Sequence, residues 1–188
     1  MTEELPFSVP ERHEAAVRTL ALAKTVLQNI SVPFWLSHGT LLGAIRDHDF
    51  IAHDSDIDLG IWDADCDHEL VAREFEASGF RSAQELGSVG LGHQMAFWSP
   101  FGVYIDLFFY VREADSCWMA LWVEGKAKRM VFPPIVEFAP IQFCGDDYLV
   151  PVNYEELLCA NYGDWSKKVA PVERGGEWRW WDSPRNLQ

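Results

Sequence analysis

Residues 34–62 read FWLSHGTLLGAIRDHDFIAHDSDIDLGIW, and this stretch decides the fold. An apolar run (Phe34, Trp35, Leu36) enters Ser37-His38-Gly39-Thr40, and a short helical pattern follows over Leu41 to Arg46. Carboxylates then recur at alternate positions, Asp54, Asp56 and Asp58, before the chain turns apolar again at Leu59 to Trp62. Alternation places Asp56 and Asp58 on one face of an extended strand, roughly 7 Å apart along it. Like charges at that spacing repel and destabilise a sheet. A divalent cation between them removes the objection, so this pair reads as a metal site.

A third acid belongs with the pair. Tyr104-Ile105-Asp106-Leu107-Phe108-Phe109-Tyr110 is apolar enough to be a central strand, and Asp106 sits inside it. A lone carboxylate there costs several kcal/mol unless it is paired or bound to metal. A neighbouring strand carrying Asp56 and Asp58 gathers three carboxylates, which suits Mg²⁺ or Mn²⁺. Asp54 is an additional candidate ligand. An EF-hand is excluded, because the glycine and glutamate its loop needs at positions six and twelve are missing.

Outward from this centre, Ser8 and Glu11 with Pro10 between them read as a helix start. Val17, Leu20, Ala23, Leu27 and Ile30 recur at helical spacing until Val32-Pro33. Strands are expected at Pro33–Ser37 and Asp56–Trp62. Thr40 is expected to cap the helix Leu41–Arg46, and Asp67 a later helix ending near Gly79. His93–Trp98, Val103–Val111 and Cys117–Val123 carry strand composition. Short strands are expected around Ile141–Phe143 and Tyr148–Val150, joined by Gly145-Asp146-Asp147. Asn153 with Glu156 reads as a capping box for a last helix ending at Tyr162-Gly163. This order gives an α+β fold with a mixed sheet flanked by helices, 1–188 being one domain with residues 1–32 as an N-terminal helix packed on it.

Composition narrows the function. The formal net charge of −14 opposes a broad nucleic-acid surface. Eleven acids and one base, Arg73, lie between Asp47 and Glu76, whereas eight of the fifteen Lys and Arg follow from Lys126. The four cysteines show no zinc spacing and read as buried thiols of a reducing compartment. His38, His48, His53, His68 and His93 form no zinc pattern either, although His38 and His53 flank the acids. The acidic N-terminus is no signal peptide, and no apolar run reaches membrane-spanning length. A cytoplasmic location is expected. The tryptophan-rich tail, Glu173 to Gln188, reads as folding back on the core; peripheral contact near a lipid-linked acceptor is the alternative.

A Gly-Thr helix start, an Asp-x-Asp strand and a later strand aspartate resemble the active-site pattern of the polymerase-β-type nucleotidyltransferase superfamily. Within it, HGTLLGAIR followed by DFIAHDSDIDLGI is similar to the LicD/fukutin family of phosphotransferases. The likeness continues through IDLFFY, GKAKRMVFPP, VPVNYEELLCANYGDW and SPRNLQ, in the same order. It implies a nucleotidyltransferase fold that uses Mg²⁺ and a CDP-activated donor. It further implies transfer of phosphocholine or a polyol phosphate to a glycan hydroxyl, with release of CMP. His53, Ser55 and Asp49 depart from residues common in the family, which leaves the donor alcohol open. The missing membrane anchor implies a bacterial type of cell-surface glycan enzyme.

On this reading Asp56, Asp58 and Asp106 hold the metal, and Asp106 alternatively serves as general base. Gly39 and Thr40 at a helix start, and Arg46 just beyond it, are expected to bind phosphate. Lys126, Lys128 and Arg129 are further candidates, the other reading being an exposed strand face. Tyr162 or Trp165 could stack a cytosine, with packing the plainer role for Trp165. Two rivals remain. A nucleotidyltransferase would move an NMP from an NTP and release pyrophosphate, and a non-catalytic binding domain would keep the fold alone.

Overall fold

The computed structural model describes residues 5–123 and 126–168, without the side chains of 121–127. Helix α1 spans Pro10–Asn29 and buries Ala16, Leu20, Ala23, Val26 and Leu27. Strand β1 is Phe34–Leu36, helix α2 is His38–Leu42, and a π-helical turn covers Gly43–Asp47. Strand β2 is Asp56–Trp62 and helix α3 is His68–Ala77. There follow β3 (Arg81–Leu86), β4 (Gln94–Trp98), β5 (Tyr104–Arg112), β6 (Cys117–Val123) and β7 (Lys126–Phe132). A separate hairpin, β8 (Phe138–Phe143) and β9 (Asp146–Pro151), precedes helix α4 (Tyr154–Tyr162).

The main sheet runs in the order β1-β2-β5-β4-β3, with β6 and β7 continuing from the end of β5. Only β2 and β5 are parallel among its pairs; the rest are antiparallel. The sheet is therefore mixed, and its parallel pair joins residues 48 positions apart in sequence, Asp58 with Asp106.

Alternation separates the two faces. Ile57, Leu59, Ile61, Ile105, Leu107 and Phe109 pack with Leu20 and Leu27 of α1 and with Val71 and Phe75 of α3. The other face carries Trp35, Trp62, Phe108, Tyr110, Met119 and Phe132. Gly60 is required here: a Cβ would lie 2.2 Å from the Trp35 ring, which crosses it from β1.

Several local expectations shift. α1 starts with Pro10 in its first turn and no side-chain cap, so Ser8 does not cap it. Instead Phe7 N–H and Ser8 N–H donate to the carbonyls of Asp54 and Ala52, both at 2.8 Å, tying the N-terminal segment to the acidic loop. α2 begins at His38, three residues before the expected start, because Thr40 is used elsewhere. The Asp67 cap is present, accepting from Leu70 N–H at 3.1 Å. β3 was not expected; its exposed, polar sequence is that of an edge strand. The β8–β9 hairpin turns on Cys144 and Gly145, both at positive φ, and Asp146 and Asp147 already belong to β9. Asn153 does not cap α4; its amide donates to the Pro134 carbonyl at 3.0 Å. The tail reading, Glu173 to Gln188, lies outside the described residues.

Candidate active site

The parallel register of β2 and β5 builds the site. Asp58 is the cross-strand partner of Asp106, and Asp56 lies two residues up β2 on the same face. One carboxylate oxygen from each of Asp56, Asp58 and Asp106 lies within 4.8 Å of the others. Asp58 and Asp106 are buried, and Asp56 is half-exposed at the mouth.

Ser37 and the first turn of α2 clamp Asp58 from three sides. Ser37 N–H donates to the Asp58 carbonyl at 3.1 Å, and Asp58 N–H donates to Thr40 Oγ1 at 2.9 Å. Gly39 N–H donates to Asp58 Oδ2 at 2.8 Å. Gly39 and Thr40, expected to bind phosphate, thus point their polar groups at Asp58. The glycine has a steric reason as well: a Cβ there would sit 2.6 Å from Asp54 Oδ2 and 3.1 Å from Asp58 Oδ2.

His38 fixes this turn. It adopts a positive φ of 39°, uncommon for a side chain of its size. Its Nδ1 faces Asn161 Nδ2 at 3.0 Å, and its Nε2 faces Tyr110 Oη at 3.2 Å and Met119 Sδ at 3.1 Å. The Asn161 amide donates, so Nδ1 accepts and Nε2 carries the hydrogen. Burial pushes the imidazole down to about 3, so it stays neutral. α4 is thereby joined to the turn that holds Asp58.

The carboxylates crowd one another electrostatically. Burial, and then the charges of Asp56, Asp54 and Asp106, push the Asp58 carboxyl well above its ordinary value. Burial and Asp56 push Asp54 up to about 8. Without a cation such a cluster retains protons, and a bound cation displaces them. Three converging oxygen donors, one of them on the half-exposed Asp56, fit Mg²⁺ or Mn²⁺, which take hard ligands and complete their shell with water or substrate. Tyr162 lies close enough for Asp58 and Asp54, after burial, to push its phenol well above its ordinary range. Trp165 packs against the core.

The cations are arranged otherwise than expected. Arg46 closes its fork on Asp47, Nε to Oδ1 at 3.0 Å and Nη2 to Oδ2 at 2.8 Å. Lys168, which sequence reasoning missed, meets the same carboxylate at 2.8 Å. Lys128 is half-buried and shares a hairpin face with Met130 and Phe132, the latter 6.1 Å from the His38 ring. Arg129 lies over Trp118 and pairs with Glu113. The Lys126 side chain lies outside the described residues. Sequence reasoning also missed Gln94, whose amide reaches Asp106.

Comparison with known proteins follows this geometry. The family model described as LicD/FKTN/FKRP, nucleotidyltransferase domain, matches residues 31–153. Ribitol-5-phosphate transferase FKTN of Homo sapiens is 32% identical over 177 residues, 93% of this chain and 37% of the relative. Ribitol 5-phosphate transferase FKRP of Homo sapiens is 29% identical over 148 residues, 73% of this chain and 29% of the relative. The chain therefore spans only about a third of the length of these curated relatives. Among solved structures, lincomycin-bound lincosamide antibiotic adenylyltransferase LnuA aligns with a TM-score of 0.53 at 15% identity, covering 84% of this chain and 91% of that one. The antibiotic-resistance factor ANT(2'')-Ia aligns with a TM-score of 0.52 at 14% identity, covering 86% and 77%. The α+β architecture is that of the nucleotidyltransferases.

Proposed function

Because this chain belongs to the LicD/FKTN/FKRP nucleotidyltransferase-domain family, we propose that it transfers a polyol phosphate, ribitol phosphate foremost, from a CDP-activated donor to a glycan hydroxyl. The observation that carries the reading is the convergence of Asp56, Asp58 and Asp106 within 4.8 Å on one face of the sheet. The relatives named as ribitol-5-phosphate transferases support the choice of donor.

Asp56, Asp58 and Asp106 would hold Mg²⁺ or Mn²⁺, which when bound neutralises phosphate charge in a phosphoryl transfer. The acceptor oxygen forms a bond to the phosphorus that bears the polyol, the bond to the bridging oxygen breaks, and CMP leaves. The hydroxyl proton is released to water as the new P–O bond forms. The protein's part is positional. Gly39, Thr40 and Ser37 fix Asp58, and His38 with Asn161 fixes the turn that carries them. Lys128 is on the hairpin face next to His38, and Arg46 becomes available to phosphate on leaving Asp47.

A donor panel tests this reading. With Mg²⁺ present, CDP-ribitol, CDP-glycerol, CDP-choline and the NTPs are compared for thermal stabilisation of the chain, and the products are analysed. Stabilisation by a CDP-alcohol and release of CMP are expected. Stabilisation by an NTP alone, with pyrophosphate as product, refutes the proposal in favour of nucleotidyl transfer.

A further inference from the structure

We infer that Tyr104 and Trp98, with Gln84 beside them, form the seat for a sugar ring of the acceptor glycan. The inference rests on the carboxylates being the transfer site and names the ligand of the flank next to them. The sheet register places the pieces. Asp56 of β2 is paired with Tyr104 of β5, Tyr104 with Trp98 of β4, and Trp98 with Arg81 of β3. Paired residues share a face, so one row of side chains runs outward from Asp56 across three further strands. Strand spacing puts the Tyr104 backbone about 5 Å and that of Trp98 about 10 Å from Asp56. A second row leads from Asp58 and Asp106 through Ala96 to Gln84.

The edge strand is irregular where it meets these rows. The register of β3 shifts between Ser82 and Gln84. In a regular strand, residues at the spacing of Arg81 and Gln84 point to opposite faces. The extra residue, Ala83, turns both toward the carboxylate side, as bulges beside functional sites often re-aim a side chain. Arg81 and Gln84 are exposed. Tyr104 and Trp98 are half-buried and meet edge to face, ring centroids 5.0 Å apart and planes at 75°. Their neighbours Phe97 and Ile105 point the other way, into the core. The two rings thus make an aromatic corner beside the carboxylates, with polar groups on its outer rim.

The chemistry of the corner selects among the ligands of the reaction. A pyranose presents C–H bonds on one face and hydroxyls around its rim. The C–H face packs on an aromatic ring, and amide and guanidinium groups hydrogen-bond the hydroxyls. A flat base calls for a parallel slot, which rings at 75° do not make. Charge also separates the donor from this flank. The donor's pyrophosphate calls for cations, and Arg46 and Lys168 gather at Asp47, beyond α2. β1, which leads into α2, borders β2 on the side away from β5. Tyr104 and Trp98 bring no charge, and a neutral ring needs none. Asp106 lies roughly 7 Å along β5 from Tyr104, so a seated ring can turn one hydroxyl toward a phosphate held at the carboxylates.

The test follows the tryptophan indole N–H signals of the full chain by NMR with Mg²⁺ present, that of Trp98 being assigned by its loss in Trp98→Phe. The chain is titrated with CMP and, separately, with neutral methyl glycosides and disaccharides of glucose, galactose and their N-acetylated amino sugars. At least one glycoside should shift the Trp98 signal, and CMP should leave it in place. Trp98→Leu should weaken that glycoside about tenfold. Gln84→Ala should weaken it about threefold. CMP should bind both variants as it binds wild type. Gln84 is exposed on an edge strand, so its variant decides should Trp98→Leu fail to fold. A Trp98 signal moved by CMP, or CMP affinity lost alongside glycoside affinity, would overturn the inference, since the corner would then hold the base or merely support the site. No glycoside moving the Trp98 signal would overturn it too, and CMP binding would leave the transfer reading standing. Glycoside binding at Trp98 without CMP binding would support the sugar seat and sink the CDP donor instead.

Discussion

Replacing Asp58 by asparagine should have opposite effects with and without metal. The variant keeps the shape of the side chain and an oxygen to accept from Gly39 N–H, now 2.8 Å away, while removing the charge. At a separation of 4.8 Å, two carboxylates at an effective dielectric of about 20 repel by roughly 3 kcal/mol. Asp58 has two such neighbours, Asp56 and Asp106. The apo cluster already relieves part of this by retaining protons, as the raised Asp58 carboxyl indicates. Weakening the charge-assisted Gly39 contact removes about 1 kcal/mol more. We therefore expect Asp58→Asn to stabilise the metal-free protein by about 1–3 kcal/mol, or a few degrees in Tm for a chain of this size. With Mn²⁺ at about 100 times its Kd, the wild type gains about 2.7 kcal/mol and the variant gains little. The melting order then inverts. Calorimetric scans in EDTA and in Mn²⁺ read both halves. A variant that melts lower in EDTA, or one that Mn²⁺ stabilises as much as wild type, would refute the repulsion argument.

Two further substitutions probe the supports of the site. His38 in the folded chain sits at about 3 against an ordinary 6.5, so the stability it confers is complete above pH 6.5 and is lost as pH falls toward 3. At pH 5 the loss is about 2 kcal/mol. Between neutral pH and pH 5 in EDTA, His38→Asn should therefore lose about 2 kcal/mol less than wild type in urea unfolding; equal losses would show that the imidazole titrates normally. Gly60→Ala places a methyl group 2.2 Å from the buried Trp35 ring and should cost about 1–3 kcal/mol in the same assay. An unchanged midpoint would mean that β1 can move off β2.

What the sequence made legible is what local patterns encode. The boundaries of β2 were readable to the residue, because alternating acids run into an unbroken apolar stretch and no other element accommodates both. Asp106 was readable because one charge inside YIDLFFY demands a partner. Neither observation says that β5 lies beside β2 in parallel, with Asp58 opposite Asp106, 48 residues further along the chain. Sequence offered the acids as a set, and the register turned them into a site. β3 stayed hidden for a related reason: an exposed edge strand buries no face and so leaves no period.

The partners that sequence did not reveal belong to polar groups: Gly39, Thr40 and Gln94 meet residues distant in the chain, and Arg46 meets its neighbour. Gly39 and Thr40 looked like phosphate binders because a helix start after a strand favours anions. The anion Gly39 meets is the protein's own, and Thr40 accepts from the same residue's backbone N–H, since β2 returns beside β1 and brings Asp58 to them. Arg46 likewise finds Asp47 at hand. Gln94 gave no signal, because an amide at the start of a strand is unremarkable until β4 is laid against β5. In this fold the residues that look like substrate contacts near the acids instead hold the acids in place, as a cluster of like charges requires. Substrate-binding groups are then to be sought one layer out. The end of α4 flanks the carboxylates there, with Tyr162 near enough to Asp58 and Asp54 to feel their charge.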